Sequence, residues 1–405
     1  MRKVFIVSAK RTAIASFLGS LKNISPVDLA AAVISSILKD TGLHGDELDE
    51  VIVGNVLPAG HGQNIARQAS IRGGVPASVP AYTVNMLCDS GMKTLMNGVA
   101  SIREGGAEII LAGGTESMSQ APFISPCGVR TGVKFGDFTM RDHLQENLDD
   151  AFNQYHMGMT AENIADLYGI SREEQDVFAM RSQERAIAAV DNGHFVDEIV
   201  PYIITERHGD ISFETDEYPN RTTNLDKLSS LRAAFKKGGS VTAGNASGLN
   251  DAASFTLLAS EEAVKKYNLT PLCEVISVAQ SGLEPEIMGL GPVKSISKAL
   301  SKAGLDFTDI NKFEINEAFA AQAIGVVKQL KIDHKFDSQW LDQRLNVNGG
   351  AIALGHPLGA SGNRIIVSLI HEMRRAKDTY GLASLCAGGG MGTAVILKME
   401  GSHHE

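Results

Sequence analysis

One order of short motifs occurs twice along this chain of 405 residues, and the repetition constrains the fold more than any other feature. In the first half, a Pro-Val pair, a helical pattern, a Gly-Leu pair and a strand-like run ending in asparagine follow one another: Pro26-Val27, Gly42-Leu43 and Asn55. The second half has the same order: Pro292-Val293, Gly304-Leu305 and Asn316. A chain that repeats its motifs in one order is predicted to fold into two similar halves.

A second repeated segment differs in length between the halves. From an asparagine to the next Ser-Gly pair there are five residues in the first half (85 to 90) and thirteen in the second (348 to 361). The longer segment carries Gly355-His356-Pro357 where the shorter one carries Cys88. Equivalent loops of paired halves can face each other, and function tends to lie on such loops.

Short β-branched runs alternate with helical patterns, which favours a layered α/β fold. Residues 4–7, 51–53 and 108–111 are predicted strands, and residues 28–39 and 91–103 are predicted helices. Between the halves lies an insertion, in which Ser171 and Glu174 have the spacing of a capping box at a helix start. We predict a first half of residues 1–118 plus 251–271, an inserted domain of residues 119–250, and a second half of residues 272–405.

Composition excludes several classes of function. Hydrophobic residues make up 43% of the chain and charged residues 21%, as in folded globular proteins. A net charge of -10 argues against nucleic-acid binding, which needs a basic surface. No apolar stretch approaches the length of a membrane span, and the N-terminal residues lack a targeting pattern. The four cysteines are scattered without metal-binding spacing, so we predict the reducing cytoplasm and no metal site.

Cys88 and His356 are the first candidates for chemistry. Cys88 stands between a predicted strand and a predicted helix, where the helix dipole and free N–H groups favour a lowered thiol pKa. A lone cysteine can equally be a small buried hydrophobic residue. His356 precedes a proline that biases its backbone to be extended, and it could take the proton from a thiol. The alternative is a histidine satisfied within the core.

Cys386 and Asn316 are further candidates. Cys386 ends a predicted strand and opens the glycine-rich run 387–392, whose N–H groups could stabilise an oxyanion. A tight turn between two strands explains the same glycines. Asn316 precedes a predicted helix, so its side chain could cap that helix or orient a water molecule.

Six stretches in order resemble the motifs of the thiolase family, within a likeness that extends from Val4 to Lys398: residues 85–91, 156–163, 244–248, 316–320, 355–362 and 386–392. The resemblance implies a thiolase fold, in which two similar halves form a layered αβαβα sandwich with an inserted loop domain that holds coenzyme A. It also implies a homotetramer that acts on coenzyme A thioesters and has no permanently bound cofactor.

The resemblance further implies roles in a ping-pong reaction. Cys88 would accept the acyl group, His356 would activate the thiol, and Cys386 would remove the α-proton of the second acetyl-CoA. The backbone N–H groups of Cys88 and Gly388 would form one oxyanion site. Asn316, acting through water, and His356 would form the other.

Around the substrate, the resemblance assigns Ser247 and His156 to the coenzyme A arm. Three side chains would crowd the acyl pocket as in short-chain members of the family: Met157, Met288 and Phe319. We therefore expect reversible condensation of two acetyl-CoA molecules into acetoacetyl-CoA and coenzyme A. The alternatives are a broader-chain 3-ketoacyl-CoA thiolase, a β-ketoacyl synthase, which the second cysteine disfavours, and a catalytically weak coenzyme A-binding scaffold.

Two positions depart from the family pattern. The residue after the nucleophile is usually small and uncharged, but here it is Asp89, whose carboxylate would raise the pKa of the Cys88 thiol. Alternatively, Asp89 caps the following helix and points away. Family members often place a base one position before Arg221 to meet the adenine end of the cofactor, so Arg221 is the candidate here, with Lys227 as the weaker one.

Overall fold

The first half of the chain begins an open sheet covered by helices, in a computed structural model that describes residues 2–207 and 209–400. Its strands are β1 (Val4–Thr12), β2 (Ala15–Ser16), β3 (Glu50–Gly54), β4 (Ala81–Val84) and β5 (Ile109–Ser117). Its helices are α1 (Pro26–Thr41), α2 (Ile65–Arg72) and α3 (Ser90–Glu104). The predicted helices correspond to α1 and α3, and the predicted strands correspond to β1, β3 and β5.

The insertion consists mostly of helices and short strands. Its strands are β6 (Phe123–Ile124), β7 (Arg141–Asp142), β8 (Ile199–Val200), β9 (Tyr202–Glu206) and β10 (Gly209–Phe213). Its helices are α4 (His143–Leu148), α5 (Met157–Tyr168), α6 (Arg172–Asp191) and α7 (Leu225–Ser230). The predicted capping box is present at α6, because the hydroxyl of Ser171 accepts the Glu174 N–H and the Glu174 carboxylate accepts the Ser171 N–H.

The chain then completes the first half with β11 (Asn250–Ser260) and α8 (Glu261–Lys266) and forms the second half. The strands of the second half are β12 (Cys273–Gly282), β13 (Lys312–Ile315), β14 (Tyr380–Ala387) and β15 (Met391–Met399). Its helices are α9 (Gly291–Ala303), α10 (Ala320–His334), α11 (Ser338–Asp342), α12 (Ala351–Leu354) and α13 (Leu358–Ala376).

The strand order confirms the two similar halves. The first half runs β4-β3-β5-β11-β1, and the second half runs β13-β14-β15-β12, with Leu345 bridged to Phe313 where the first half has β4. In each half, the strands towards the edge of the sheet pair in parallel and the strands towards its centre pair antiparallel, so the strand directions also repeat. The halves join where β1 pairs with β12, between Phe5 and Glu274 and between Ile6 and Cys273.

Helices cover and separate the two halves in layers. Helices α1 and α2 pack on the outer face of the first half, α9 and α10 cover the second half, and α3 packs against α13 between them. The close contact of α3 and α13 uses the repeated Ser-Gly pairs. A Cβ on Gly91 would lie 2.8 Å from the Asn363 nitrogen, and a Cβ on Gly362 would lie 2.5 Å from the Met92 nitrogen. Both positions therefore need glycine.

A buried ion cluster ties the insertion to the sheet. The Arg11 side chain on β1 is fully buried and donates to Glu198 at 2.6 Å and to Asp216 at 2.7 and 2.8 Å. A buried charge needs such partners to offset its desolvation. We propose the predicted boundaries of the insertion, 119 and 250, as domain limits; residues 1 and 401–405, at the ends of the predicted halves, lie outside the described residues. Within the described parts of the chain, no helix is long and apolar enough to cross a membrane.

Candidate active site

Both halves and the insertion contribute to one mainly apolar cavity of about 100 Å³. The first half contributes Leu87 and Cys88, and the second half contributes His356 and Gly388. The insertion contributes the predicted coenzyme A residues His156 and Ser247, among others. Three loops that are distant in sequence therefore meet around one small space.

A tight turn between β4 and α3 presents Cys88 to this cavity. The residue before the cysteine, Leu87, has a positive φ of 52°, which costs energy in a residue with a side chain. The Asn85 side chain accepts the Leu87 N–H at 3.0 Å, and the Ser90 hydroxyl accepts the Met86 N–H at 2.9 Å. These two hydrogen bonds hold the strained turn and so orient the thiol.

The environment of Cys88 disfavours its thiolate, so the expectation of a lowered pKa was wrong. Burial, followed by the negative charge of Asp89, raises the pKa of Cys88 to about 12, although the N–H groups of Gly388 and Cys88 itself lower it. Helix α3 begins only at Ser90, so the thiol lies outside its first turn. Cys88 therefore needs a base to become a nucleophile.

His356 is neutral and has one ring nitrogen free. Burial, and then the positive charge of Arg364, lowers its pKa to about 3. The Ser361 hydroxyl donates to the Pro357 carbonyl at 2.9 Å, so its oxygen can accept the Nδ1–H of His356 at 2.6 Å. This tautomer leaves a lone pair on Nε2, which is buried without a hydrogen-bond partner among the described residues. The ring is thus prepared to accept a proton through Nε2.

Two buried side chains of the first half hold the loop that carries His356. The side chain of Asn250, at the start of β11, accepts the His356 N–H at 2.9 Å. The carboxylate of Glu116, at the end of β5, accepts the Gly359 N–H at 2.8 Å and also two N–H groups of the segment after β3. Burial raises the pKa of Glu116 to about 7. The longer loop of the second half is therefore fixed by contacts with the first half.

Cys386 lies near the end of β14, immediately before the turn that contains Gly388. The glycines form a tight turn between β14 and β15, as one interpretation of the sequence predicted. The Gly388 N–H nevertheless also reaches the Cys88 sulfur, so the turn can serve as an oxyanion site as well. Burial raises the pKa of Cys386 well above its ordinary value, and the charge of Cys88 raises it further, which indicates that the two sulfurs are neighbours.

Asn316 is not the N-cap of a helix, contrary to one of the predictions. Helix α10 begins at Ala320 with Phe319 as its N-cap residue, so Asn316 lies three residues before the N-cap position. The Asn316 N–H donates to the Ser384 carbonyl at 3.0 Å and holds the residue beside β14. Both polar atoms of its side chain are buried and have no hydrogen-bond partner in residues 2–207 and 209–400. The amide is therefore free to bind water or substrate.

An aromatic wall encloses the other side of the cavity. The His156 ring accepts the Gly158 N–H through Nδ1 at 3.0 Å and stacks on Phe235 at 4.5 Å. Phe235 in turn meets Phe319 edge to face at 6.1 Å. Met157 and Met288, which were predicted to lie together at the acyl pocket, also line the cavity. Phe235 was not predicted from the sequence, where its one signal is an aromatic residue beside a Lys-Lys-Gly run.

The buried Asn316 and Cys386 are not among the residues that line the cavity, and neither is the exposed Lys227, the weaker candidate. Arg221 also lies outside the lining. Its guanidinium group is exposed and forms an ion pair with Asp191 at 2.6 Å. Arg221 therefore has no contact with this cavity.

Comparisons with known proteins place the chain among characterised sequences. It matches "Thiolase, N-terminal domain" over residues 4–262 and "Thiolase, C-terminal domain" over residues 269–399. It is 51% identical over 402 residues to an acetyl-CoA acetyltransferase of Pseudomonas aeruginosa, which covers 99% of this chain and 100% of that protein.

Two solved structures are also similar over nearly the whole chain. The acetyl-CoA acetyltransferase of Bacillus anthracis has a TM-score of 0.94 and 42% identity, with 98% of this chain and 99% of that chain covered. The human mitochondrial 3-ketoacyl-CoA thiolase in complex with CoA has a TM-score of 0.92 and 44% identity, with 98% of each chain covered.

Proposed function

Because the chain belongs to the thiolase family, we propose that it is an acetyl-CoA acetyltransferase, which reversibly condenses two acetyl-CoA molecules into acetoacetyl-CoA and coenzyme A. Relatives about half identical over the full length carry this name. One observation supports the chemistry most: the Cys88 sulfur is reached by the Gly388 N–H in a cavity that His356 also lines, and Nε2 of His356 has no hydrogen-bond partner among the described residues.

In the first half-reaction, the acetyl group moves to Cys88. Nε2 of His356 takes the thiol proton, and the thiolate attacks the thioester carbonyl carbon. The N–H groups of Cys88 and Gly388 stabilise the oxyanion of the tetrahedral intermediate. The carbon–sulfur bond to coenzyme A breaks, and the departing thiolate takes the proton of Cys386. The raised pKa of Cys88 makes the assistance of His356 necessary.

In the second half-reaction, the Cys386 thiolate removes an α-proton of a second acetyl-CoA. A thiolate with a raised pKa is a strong base, and protonated His356 and a water on Asn316 stabilise the enolate oxygen. The enolate carbon attacks the acetyl group on Cys88, and a carbon–carbon bond forms as the carbon–sulfur bond breaks. The Cys88 thiolate recovers its proton from His356.

The test is the mass of the intact protein after incubation with acetyl-CoA. We expect the wild type to gain the mass of one acetyl group, and we expect Cys88→Ala to gain none. Cys127→Ala is the matched control, because Cys127 is exposed and lies outside the cavity. Acetylation that persists in Cys88→Ala would contradict the mechanism, and a wild type without acetylation or acetoacetyl-CoA cleavage would favour the scaffold alternative.

The small cavity supports a short acyl range. Its volume of about 100 Å³ is bounded by bulky side chains: Met157, Met288 and Phe319. A broader-chain 3-ketoacyl-CoA thiolase is the second candidate, since a relative of that name is 44% identical. We expect cleavage of acetoacetyl-CoA to exceed cleavage of longer 3-ketoacyl-CoA substrates in kcat/KM. Equal values along a chain-length series would favour the second candidate.

For the coenzyme A arm we propose Ser247 and His156 near the pantetheine and Arg221 near the adenine end. The lining of the cavity by Ser247 and His156 supports the first two positions. For Arg221 the support is its exposed guanidinium group. Arg221→Ala is expected to raise the KM for coenzyme A without changing kcat. An unchanged KM would remove this residue from the binding site.

We also propose a homotetramer located in the cytoplasm. Exposed aromatic side chains on the insertion support assembly: Phe123, Phe135, Phe138 and Phe152. Four free cysteines support a reducing compartment. Light scattering of the purified protein and fractionation of source cells test the two proposals, and a monomeric mass or a secreted protein would contradict them.

A further inference from the structure

Asp89 is a buried acid whose side chain has no role in capping helix α3. It occupies the N-cap position, and its backbone carbonyl accepts the N–H groups of Met92 and Lys93. Its side chain makes no capping hydrogen bond and is 0% exposed. The expectation that Asp89 caps the helix and points away from the thiol was therefore wrong. The carboxyl group faces the protein interior instead.

The carboxyl group lies close to both cysteines of the site. Its charge is among the groups that raise the pKa of Cys88 and of Cys386, after burial in each case. Thr393 on β15 faces it from the other side, one residue after Gly392, which pairs with Cys386. The Asp89 oxygens and the Thr393 hydroxyl are all buried without a hydrogen-bond partner among the described residues.

Within residues 2–207 and 209–400, no cation balances a charge on Asp89. The titratable groups around it are Cys88 on the same loop, Cys386 on β14 and, behind Cys88, the carboxyl group of Glu116 on β5. The charge of Arg364 on α13 acts on the neutral His356 ring, and it is not among the groups that shift the pKa of Asp89. Burial raises the pKa of Asp89 well above its ordinary value, and the Thr393 hydroxyl offsets this only in part. An unpaired carboxylate is costly in such a place, so the group keeps its proton.

We propose that Asp89 is a positioning residue that works in its protonated form, filling the space between Cys88, Cys386 and Thr393, and that loss of its proton opposes ionisation of both thiols. The part that concerns turnover depends on the acetyltransferase function proposed above. A protonated carboxyl leaves both sulfurs free of a neighbouring charge. An ionised carboxyl adds a negative charge to a site that must form thiolates at Cys88 and Cys386 in turn.

The first test is the rate of Cys88 alkylation by iodoacetamide between about pH 6 and about pH 10, followed on the Cys88 peptide by mass spectrometry. Asp89→Asn keeps the shape of the protonated acid and cannot ionise. Near neutral pH we expect equal rates in wild type and variant. At alkaline pH we expect the variant to react several-fold faster, because its thiol has no anionic neighbour. The exposed Cys127 serves as the internal reference for the reagent.

A second variant separates this role from a merely structural one. Thr393→Val removes the hydroxyl that favours the carboxylate form of Asp89, so Asp89 should lose its proton at a higher pH in this variant. The pH above which Cys88 is alkylated more slowly than in Asp89→Asn should therefore be higher in Thr393→Val than in the wild type. Melting temperatures identify any variant that has lost its fold. Superimposed alkylation profiles of wild type and Asp89→Asn would overturn the proposal, as would faster alkylation of the variant already at neutral pH.

The acetoacetyl-CoA cleavage assay adds the catalytic readout. We expect kcat/KM of the wild type to decline at alkaline pH and this decline to be absent in Asp89→Asn. Alkylation needs no turnover, so a protein without acetyltransferase activity would still show the alkylation profile if Asp89 acts on the thiols. The proposal would be overturned if kcat/KM declined in the same way at alkaline pH in the wild type and in Asp89→Asn.

Discussion

Replacement of His356 by asparagine should change how the stability of the protein depends on pH. Burial, aided by the charge of Arg364, lowers the pKa of His356 from 6.5 to about 3. At about pH 5 the unfolded chain binds a proton on this ring and the folded chain does not, so protons favour unfolding. Asparagine cannot titrate, and its amide can still meet the Ser361 hydroxyl.

The size of the effect follows from these two pKa values. At about 1.4 kcal/mol per pKa unit, titration of His356 lowers the free energy of unfolding by about 2 kcal/mol between about pH 7 and about pH 5. Between about pH 7 and about pH 5, His356→Asn should therefore lose about 2 kcal/mol less free energy of unfolding than the wild type. Any constant cost of the substitution appears equally at both pH values and cancels.

Urea denaturation at both pH values and one protein concentration measures the difference. His44→Asn, at an exposed position, is the control for the loss of a histidine. If His356→Asn and wild type lose the same stability between the two pH values, then His356 is not held neutral by burial. The lowered pKa of His356 would then be refuted.

Three further substitutions test the geometry of the site. Ser361→Ala removes the acceptor that fixes the His356 tautomer, and we expect kcat to fall about 10- to 100-fold, as for other partners that orient a histidine, with little change in KM. Gly388→Ala keeps the backbone N–H but places a Cβ at 3.1 Å from the Leu87 side chain, so Leu87 or the turn must move by a few tenths of an ångström. Displacement of this oxyanion donor should lower kcat, by at most the roughly 100- to 1000-fold that the loss of a donor costs. Steady-state kinetics measure both effects, and unchanged kcat values would contradict them. Glu116 has a pKa raised by burial from 4.5 to about 7, so its contribution to stability is present below about pH 4.5 and is lost as pH rises through about 7. In the wild type, this titration should lower the free energy of unfolding by about 3 kcal/mol between about pH 4.5 and about pH 8, and Glu116→Gln should lack this decrease when both proteins are denatured in urea. An equal decrease in both proteins would contradict the raised pKa of Glu116.

Much of the fold could be predicted from the sequence, because helices, strands and turns leave local patterns. The repeated motifs predicted two similar halves, and the repeated strand order confirms them. The length difference between the equivalent loops placed a histidine opposite Cys88, and both residues line one cavity. Asn316 shows the limit of local patterns, because α10 begins only at Ala320, with Phe319 rather than Asn316 as its N-cap residue.

The ionisation states of the site were decided by the tertiary structure. The position of Cys88 before a helix favoured a thiolate, yet burial and Asp89 raise its pKa to about 12. The contact of Phe235 with His156 joins residues far apart in the chain and leaves no local pattern. Periodicity and spacing are properties of neighbouring residues, so the sequence alone determined the elements, their repetition and the candidate residues. Burial, charge proximity and unpaired polar atoms depend on residues that meet only after folding, so the protonation of the thiols, of His356 and of Asp89 was set by the assembled halves.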